Sequence, residues 1–318
     1  MGVPLQGWFA GTETMNQIYL DTARLLTQVA PIVFEDSTFA LKGGTAINLF
    51  VREMPRLSVD LDLVFPDYTI PRVQALARIN EAIRQSADRL TARGFRVYRV
   101  TAAEAGETKL LVRRGNIEVK VEANFVMRGT IHPVKIAALT QKARDVLRAD
   151  LEVPLVSLAD MYGGKLAAAM DRQHPRDLFD VKQLFEHEGI TPAIRQAFVV
   201  YLASHNRPLH EVLFPAKRDI ALEYERSFRG VAEEPVALED LLAVRDRMMM
   251  ELQQGLCTEE RKFLVSVARN EPDWEQLGIP HLAQLPAICW KLQNLEQLAV
   301  ANPEKFEAQA AALEDALK

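Results

Sequence analysis

Cysteine is nearly absent from this chain: two among 318 residues, Cys257 and Cys289. Two thiols this close to one end build no disulfide framework and have no zinc-ligand spacing, so a reduced, cytoplasmic setting is expected. Histidine is also scarce, at six. His205, His210 and His281 lack any metal-ligand spacing and read as incidental. No apolar run approaches the roughly 18 residues of a membrane helix. The first residues show no basic stretch followed by an apolar one, so no secretory leader is expected. Met1-Gly2 is not followed by Ser or Thr at position 6, which excludes a myristoylation signal. Neither an internal repeat nor a low-complexity linker is visible. A formal charge of −5 excludes nucleic-acid binding through bulk charge alone.

What remains is an ordinary globular composition, 48% hydrophobic and 25% charged, with length enough for two domains. The charge is uneven. Residues 190–318 hold 14 Lys+Arg against 20 Asp+Glu, leaving 24 against 23 for residues 1–189. An anionic substrate is better received by the N-terminal part. We divide the chain at 189 on this basis and on the change of pattern described below.

The most informative stretch is Lys42-Gly-Gly-Thr-Ala-Ile-Asn-Leu-Phe50 with Arg56-Leu-Ser-Val-Asp-Leu-Asp-Leu-Val-Phe65. Ser37–Leu41 reads as a short buried strand. Gly43 and Gly44 make a tight turn, and Thr45–Arg52 reads as a helix. A glycine turn opening a helix aims backbone N–H groups at one point, which suits a phosphate. Downstream, Leu57, Val59, Leu61 and Leu63 alternate with Arg56, Ser58, Asp60 and Asp62, so the two aspartates project from one strand face. Paired hard oxygen ligands suit Mg²⁺ or Mn²⁺ together with substrate phosphates. The bland alternative is the solvent face of an edge strand.

Around this core, Met15–Ala30 reads as an amphipathic helix with Ile18, Leu25, Leu26 and Val29 inward, closed by Pro31. A long helix runs from Pro71 to about Arg93, ended by Gly94. Strands are expected over 95–101, 108–113 and 117–125, the last two joined by a hairpin at Arg114-Gly-Asn116. Glu118, Lys120, Glu122 and Asn124 share one face of the last. They form either an exposed ladder or the source of a third acid. Eight basic residues from Arg84 to Arg114 read slightly better as a solvated face than as an RNA-backbone flank.

From Ser157 the pattern turns helical. Ser157 reads as an N-cap, with Asp160 completing a variant capping box. Gly163-Gly164 inside the helix Leu158–Arg172 implies the close approach of a backbone or a ligand, since each glycine costs about 1 kcal/mol there. Pro175 restarts the chain as a helix to Glu186. Asp177 and Asp180 are neighbours on its face, so Lys165 can meet Arg176-Asp-x-x-Asp180 across a helical hairpin. A structural salt bridge is the plain reading of that pair. Further helices are expected over 192–204, 208–213, 238–252, 258–268, 280–300 and 303–317, with the tail from Asn302 expected to fray. The whole reads as α+β: a mixed sheet of four to six strands with flanking helices, then a helical C-terminal domain.

Gly43-Gly44-Thr45 with Ser58-Val-Asp60-Leu-Asp62 resembles the signature of the nucleotidyltransferase (DNA polymerase β-like) superfamily. Together with Gly164-Lys165-Leu-Ala, Arg172 and Arg176-Asp177-Leu-Phe-Asp180, it resembles the AbiEii/AbiGii toxin family within it. The resemblance implies NMP transfer from an NTP with release of pyrophosphate, to the 3′ end of tRNA, in a bacterial toxin–antitoxin or phage-abortive system with an AbiEi-type antitoxin as partner. It implies Asp60, Asp62, Lys165 and Asp180 as catalytic residues, and Lys42, Gly43, Gly44, Thr45, Ser58 and Lys165 around the phosphates. Metal would sit on Asp60 and Asp62, with Glu122 as a third ligand or base and Glu118 as fallback. Transfer to a protein hydroxyl, or nucleotide sensing without catalysis, are the alternatives.

Overall fold

In the computed structural model, residues 13–102 and 107–318 are described. The N-terminal stretch read above for leader and lipid signals lies outside them. The chain forms two compact units. Unit 1 comprises residues up to Gly129, Pro133–Ser157 and Glu225–Val236; unit 2 comprises Thr130–His132, Leu158–Tyr224 and Ala237–Lys318. The main division therefore runs at Ser157/Leu158, where the sequence reading placed it at 189.

Unit 1 is a mixed α+β layer. Among the described residues its sheet has seven strands: β1 (Ala40–Lys42), β2 (Asp60–Val64), β3 (Arg96–Ala102), β4 (Glu107–Arg114), β5 (Ile117–Asn124), β6 (Lys135–Ala138) and β7 (Glu152–Leu155), in the order β3-β4-β5-β2-β1-β7-β6. The pair β2–β5 is parallel, as is β1–β7; β1–β2, β3–β4, β4–β5 and β6–β7 are antiparallel. Helices α1 (Glu13–Val33) and α3 (Arg72–Ala92) pack on the sheet and on each other. Ala23, Leu25, Leu26 and Val29 are buried as the period requires, whereas Ile18 is exposed and Pro31 lies within the last turn of α1 rather than beyond it. On β2 and β5, Leu61, Leu63, Val119, Val121 and Ala123 are buried, so the polar residues alternating with them take the other face.

Three features depart from the expected layout. First, β2 begins at Asp60; Leu57–Val59 run extended outside the sheet, and only Arg56 bridges, to Ala232. The Leu57 N–H donates to Val231 O (3.2 Å) and the Glu233 N–H to Pro55 O (2.8 Å), so a segment far downstream, residues 231–233, supports the approach to the site strand. Second, β6, α4 (Gln141–Leu147) and β7 were not anticipated, and they bring the strand count to seven. Third, the helix after the glycine turn is short: α2 (Gly43–Ala46) continues as a π-helix over Ile47–Val51. The widened turn is of a kind often found at functional sites.

Unit 2 is helical, with α5 (Leu158–Arg172), α6 (Pro175–Glu186), α7 (Pro192–Ala203), α8 (Leu209–Leu213), α10 (Leu238–Gly255), α11 (Thr258–Ala268), α12 (Pro286–Ala301) and α13 (Pro303–Ala316); the unpredicted α9 (Ala221–Ser227) spans the junction at Tyr224. Pro286 opens α12 instead of lying inside a longer helix, as a residue without an N–H does best. The tail is a packed helix rather than a fraying one: Asn302 caps it, Ala310 and Leu313 are buried, and Arg269 binds Glu314. Asp160 also reaches beyond its own helix end. Its carboxylate accepts from the Ile131 (2.8 Å) and His132 (3.0 Å) N–H groups and from the Tyr201 hydroxyl (3.3 Å).

The glycine pair in α5 is explained by a backbone. A Cβ on Gly163 would lie 2.7 Å from the Ala197 carbonyl carbon of α7. Gly163→Ala is therefore expected to prise α5 from α7 and lower stability by about 1–3 kcal/mol, measured by urea unfolding. At Gly164 the added Cβ meets only the Tyr201 ring at 3.5 Å, an ordinary contact, so Gly164→Ala serves as a near-neutral comparison.

Candidate active site

Unit 1 gathers one set of candidate residues around the glycine turn. Gly43 has φ 77°, a left-handed value that favours glycine. A Cβ there would lie 2.2 Å from Asp62 Oδ2, so the Asp62 carboxylate rests directly on the turn. A Cβ on Gly44 would meet Arg56 Nη2 at 2.7 Å and Ser58 Oγ at 2.9 Å. The register agrees: Lys42 lies opposite Asp62 across the β1–β2 pair. The turn is thus ringed by Asp62, Ser58 and Arg56, so its backbone and a carboxylate meet at one place.

Thr45 is fully buried. Its hydroxyl donates to the Asp60 carbonyl oxygen (2.5 Å) and lies 3.1 Å from Ser58 Oγ. It pins the start of β2 to the helix after the turn. This bond positions Asp60 from the helix side of the turn. Asn48 adds a second clamp, its Nδ2 donating to Gly44 O (2.8 Å). Arg56 is 3% exposed and donates to Leu57 O (3.0 Å).

Parallel pairing sets Asp60 beside Lys120 and Asp62 beside Glu122. Glu122 is ion-paired to Lys120 (3.0 Å) and Lys109 (3.2 Å). Burial works to raise its pKa, but these two lysines outweigh it and hold it below the usual range. For Lys120, burial works downward; Glu122, Asp60 and Asp62 overcome it and raise the pKa. Glu122 is therefore a carboxylate answered by two cations, and a weak base. Glu118 pairs with Arg113. Among the described residues no group of three or more His, Cys, Asp or Glu side chains is arranged to hold a metal ion. Asp60 and Asp62 remain as a pair of hard oxygen donors on one face. That fits an ion whose other ligands come from substrate phosphates.

The basic residues between 84 and 114 are largely answered by nearby acids. Arg84 pairs with Glu81 and Asp88, Arg89 with Glu35 and Asp36, Arg93 with Glu35. This is the pattern of a solvated face.

Unit 2 holds a separate, helical set of candidate residues. Lys165 on α5 meets both aspartates of α6, Asp177 at 2.8 Å and Asp180 at 2.9 Å. All three are buried, Asp180 completely. Arg172 grips Asp177 from the other side, Nε to Oδ2 at 2.5 Å and Nη2 to Oδ1 at 3.0 Å. Two cations and two anions balance. His174 starts α6: its Nδ1 accepts from the Arg176 N–H (3.1 Å), and Pro175 takes the first helical position.

Burial pushes the Asp177 pKa up, yet Lys165 and Arg172 together drive it well below the carboxylate range. A depressed folded pKa adds stability that is complete above the unfolded value, near pH 4, and is lost as pH falls through the folded one. Acid unfolding of the wild type is thus expected to steepen below about pH 4, with Asp177→Asn showing a shallower slope in that window by pH-dependent urea titration.

Sequence reasoning paired Lys165 with Asp180 and gave Asp177 no role in the site; the structure makes Asp177 an equal partner. The i, i+3 spacing carried that signal. Arg56 was visible on the Ser58/Asp60/Asp62 face. Lys120 was not, because its place beside Asp60 depends on strand register. The strand set and the helical set belong to different compact units.

A family profile described as nucleotidyl transferase AbiEii toxin, type IV toxin–antitoxin system, matches residues 24–294. The chain belongs to the AbiEii family. It is a nucleotidyltransferase toxin of a type IV toxin–antitoxin system, with an NTP as substrate and a cognate antitoxin implied. Among solved structures, MenT4, a nucleotidyltransferase toxin from Mycobacterium tuberculosis H37Rv, is similar with a TM-score of 0.57. It shares 20% identity over 78% of this chain and 87% of its own, and so supports the AbiEii chain's fold. No curated protein matches in sequence. Among the described residues, no helix of this AbiEii chain is long and apolar enough to cross a membrane.

Proposed function

We propose that this AbiEii-family enzyme transfers a nucleoside monophosphate from an NTP to the 3′ end of tRNA in the bacterial cytoplasm, and so blocks translation. The observation that supports this most is the placement of the Asp62 carboxylate on the Gly43 turn, with Asp60 on the same strand face. In the reaction the terminal hydroxyl oxygen of the acceptor attacks the α-phosphorus. The bond from that phosphorus to the oxygen bridging toward the β-phosphate breaks, and pyrophosphate leaves. The hydroxyl proton passes to a carboxylate on the Asp60/Asp62 face.

Gly43 and Gly44 present N–H groups to the β/γ-phosphates. Lys42 and Ser58 flank them, and Thr45 holds Asp60 in place. Asp60 and Asp62 would hold Mg²⁺ or Mn²⁺, which neutralises charge at the attacking and leaving oxygens when bound. Glu122, already answered by Lys109 and Lys120, orients those lysines on the same strand face. Lys165, steered by Asp177 and Asp180, neutralises triphosphate charge. The partner that silences the toxin is an AbiEi-type antitoxin.

The test is incorporation of each α-labelled NTP into bulk tRNA with Mg²⁺, beside Asp60→Ala. Label in tRNA is expected, with a loss on the order of 10³-fold in the variant, as for removal of a group that stabilises transition-state charge. Label confined to protein would move the acceptor to a protein hydroxyl. No label from any NTP, with nucleotide binding intact, would replace transfer by sensing.

A further inference from the structure

Arg128 follows β5 and is only 5% exposed. Its Nε and Nη1 are buried and have no hydrogen-bond partner among the described residues. A guanidinium keeps its charge and offers donors in a fixed fork, so burying it unanswered is costly. Burial first, and then the like charge of Arg72, both push its pKa down.

Arg72 is the first residue of α3, a helix with no acidic residue in its first turn and no side-chain cap from Pro71. A positive residue at that end runs against the helix dipole. Two arginines and a helix start thus place positive potential together inside unit 1.

The position is fixed by the strand beside it. The Gly129 N–H donates to Phe65 O (2.8 Å), which sets Arg128 just past the C-terminal end of β2. Asp62 and Phe65 are three residues apart, about 10 Å at ~3.3 Å per residue. The backbone that carries Arg128 is thus set off from the Gly43–Gly44 turn along β2.

We propose that Arg128, with Arg72 at the start of α3, forms a second phosphate-binding subsite, distinct from the Gly43–Gly44 turn. The unpartnered Nε and Nη1 of Arg128 each offer an N–H donor that a phosphate oxygen can accept. The phosphate belongs either to the NTP or to the backbone of the acceptor strand. The choice of phosphate rests on the transferase reading; the need for an anion does not.

The first experiment is thermal unfolding of the full chain in sodium phosphate against sodium chloride at equal ionic strength. Wild type is expected to gain roughly 5 °C at a hundredfold excess over the dissociation constant. Arg128→Met should lose most of that gain while melting no lower than wild type without phosphate, because an unanswered buried charge has been removed. Arg72→Ala, at an exposed position, should lose part of it. Equal gains in all three proteins, no gain in wild type, or a destabilised Arg128→Met in chloride would each overturn the proposal.

Binding without turnover then names the source. An α,β-methylene NTP and a tRNA ending in a 3′-deoxynucleotide are titrated into wild type and Arg128→Met. At least tenfold weaker binding of the NTP alone assigns the subsite to the triphosphate, and of the tRNA alone to the acceptor backbone. Unchanged binding of both sinks the subsite. Failure of the transferase reading is separate: no incorporation by wild type, with phosphate stabilisation intact.

Discussion

Gly43→Ala is expected to lower the unfolding free energy by about 2–4 kcal/mol and to cut nucleotide incorporation on the order of 10²-fold. Two causes add. The backbone at Gly43 is left-handed, which costs an L-residue about 1–2 kcal/mol. The new methyl would also stand 2.2 Å from Asp62 Oδ2, so the carboxylate must swing off the turn. A displacement near 1 Å at a reacting centre is enough for the activity loss. The two causes separate in Gly43→Ala/Asp62→Ala. Removing the carboxylate relieves the clash, so stability should return by about 1–3 kcal/mol, whereas activity should not return. A double variant no more stable than Gly43→Ala would show that the carboxylate does not rest on the turn. Denaturant unfolding and the labelled-nucleotide assay read the two effects.

Lys165→Met should cost about 3–5 kcal/mol, the largest stability effect we expect from one substitution in the helical unit. The lysine is the cation shared by Asp177 and Asp180, and Asp180 is fully buried. Arg172 still answers Asp177 in the variant; Asp180 loses an ion pair with no solvent to replace it. The variant should therefore gain stability as pH falls toward the carboxylate range, since protonation removes the stranded charge. Lys165→Met/Asp180→Leu should recover most of the loss, because an apolar pair of similar volume commonly replaces a buried ion pair without penalty. Recovery of stability without recovery of transfer would establish that the Lys165–Asp180 pair serves the reaction as well as the fold. If Lys165→Met unfolds like wild type, the buried network is not what holds α5 to α6.

How much of this was legible follows from the range of the interactions. The Asp60/Asp62 face and the apolar Leu61/Leu63 face were readable because strand alternation is a property of five consecutive residues. The α5–α6 hairpin was readable for the same reason: Pro175 resets the helix, and the spacing of Asp177 and Asp180 puts both on one face. Even the Gly163-Gly164 pair announced a close neighbour. It could not say whether the neighbour was a ligand or, as found, the backbone of α7.

Strands β6 and β7 were missed because each has only four residues and Pro154 interrupts β7. Such pieces exist through their partners, Leu155 beside Leu41 and the β6–β7 ladder, rather than through a pattern of their own. The support of Arg56 and Leu57 by residues 231–233 was invisible for a related reason. Nothing in either stretch encodes a partner some 175 residues away.

By itself, then, the sequence determined which side chains share a face and where the backbone must turn, since local sterics and periodicity decide both. The tertiary structure decided what each charge meets. Register brought Lys120 to Asp60 and paired Glu122 with two lysines. Packing laid Asp62 on Gly43, joined Asp177 to Lys165, and buried Arg128. The physical reason is that a side chain's electrostatic partner is set by approach in space, at a few ångströms, and the order of residues constrains that approach only over a strand or a helical turn.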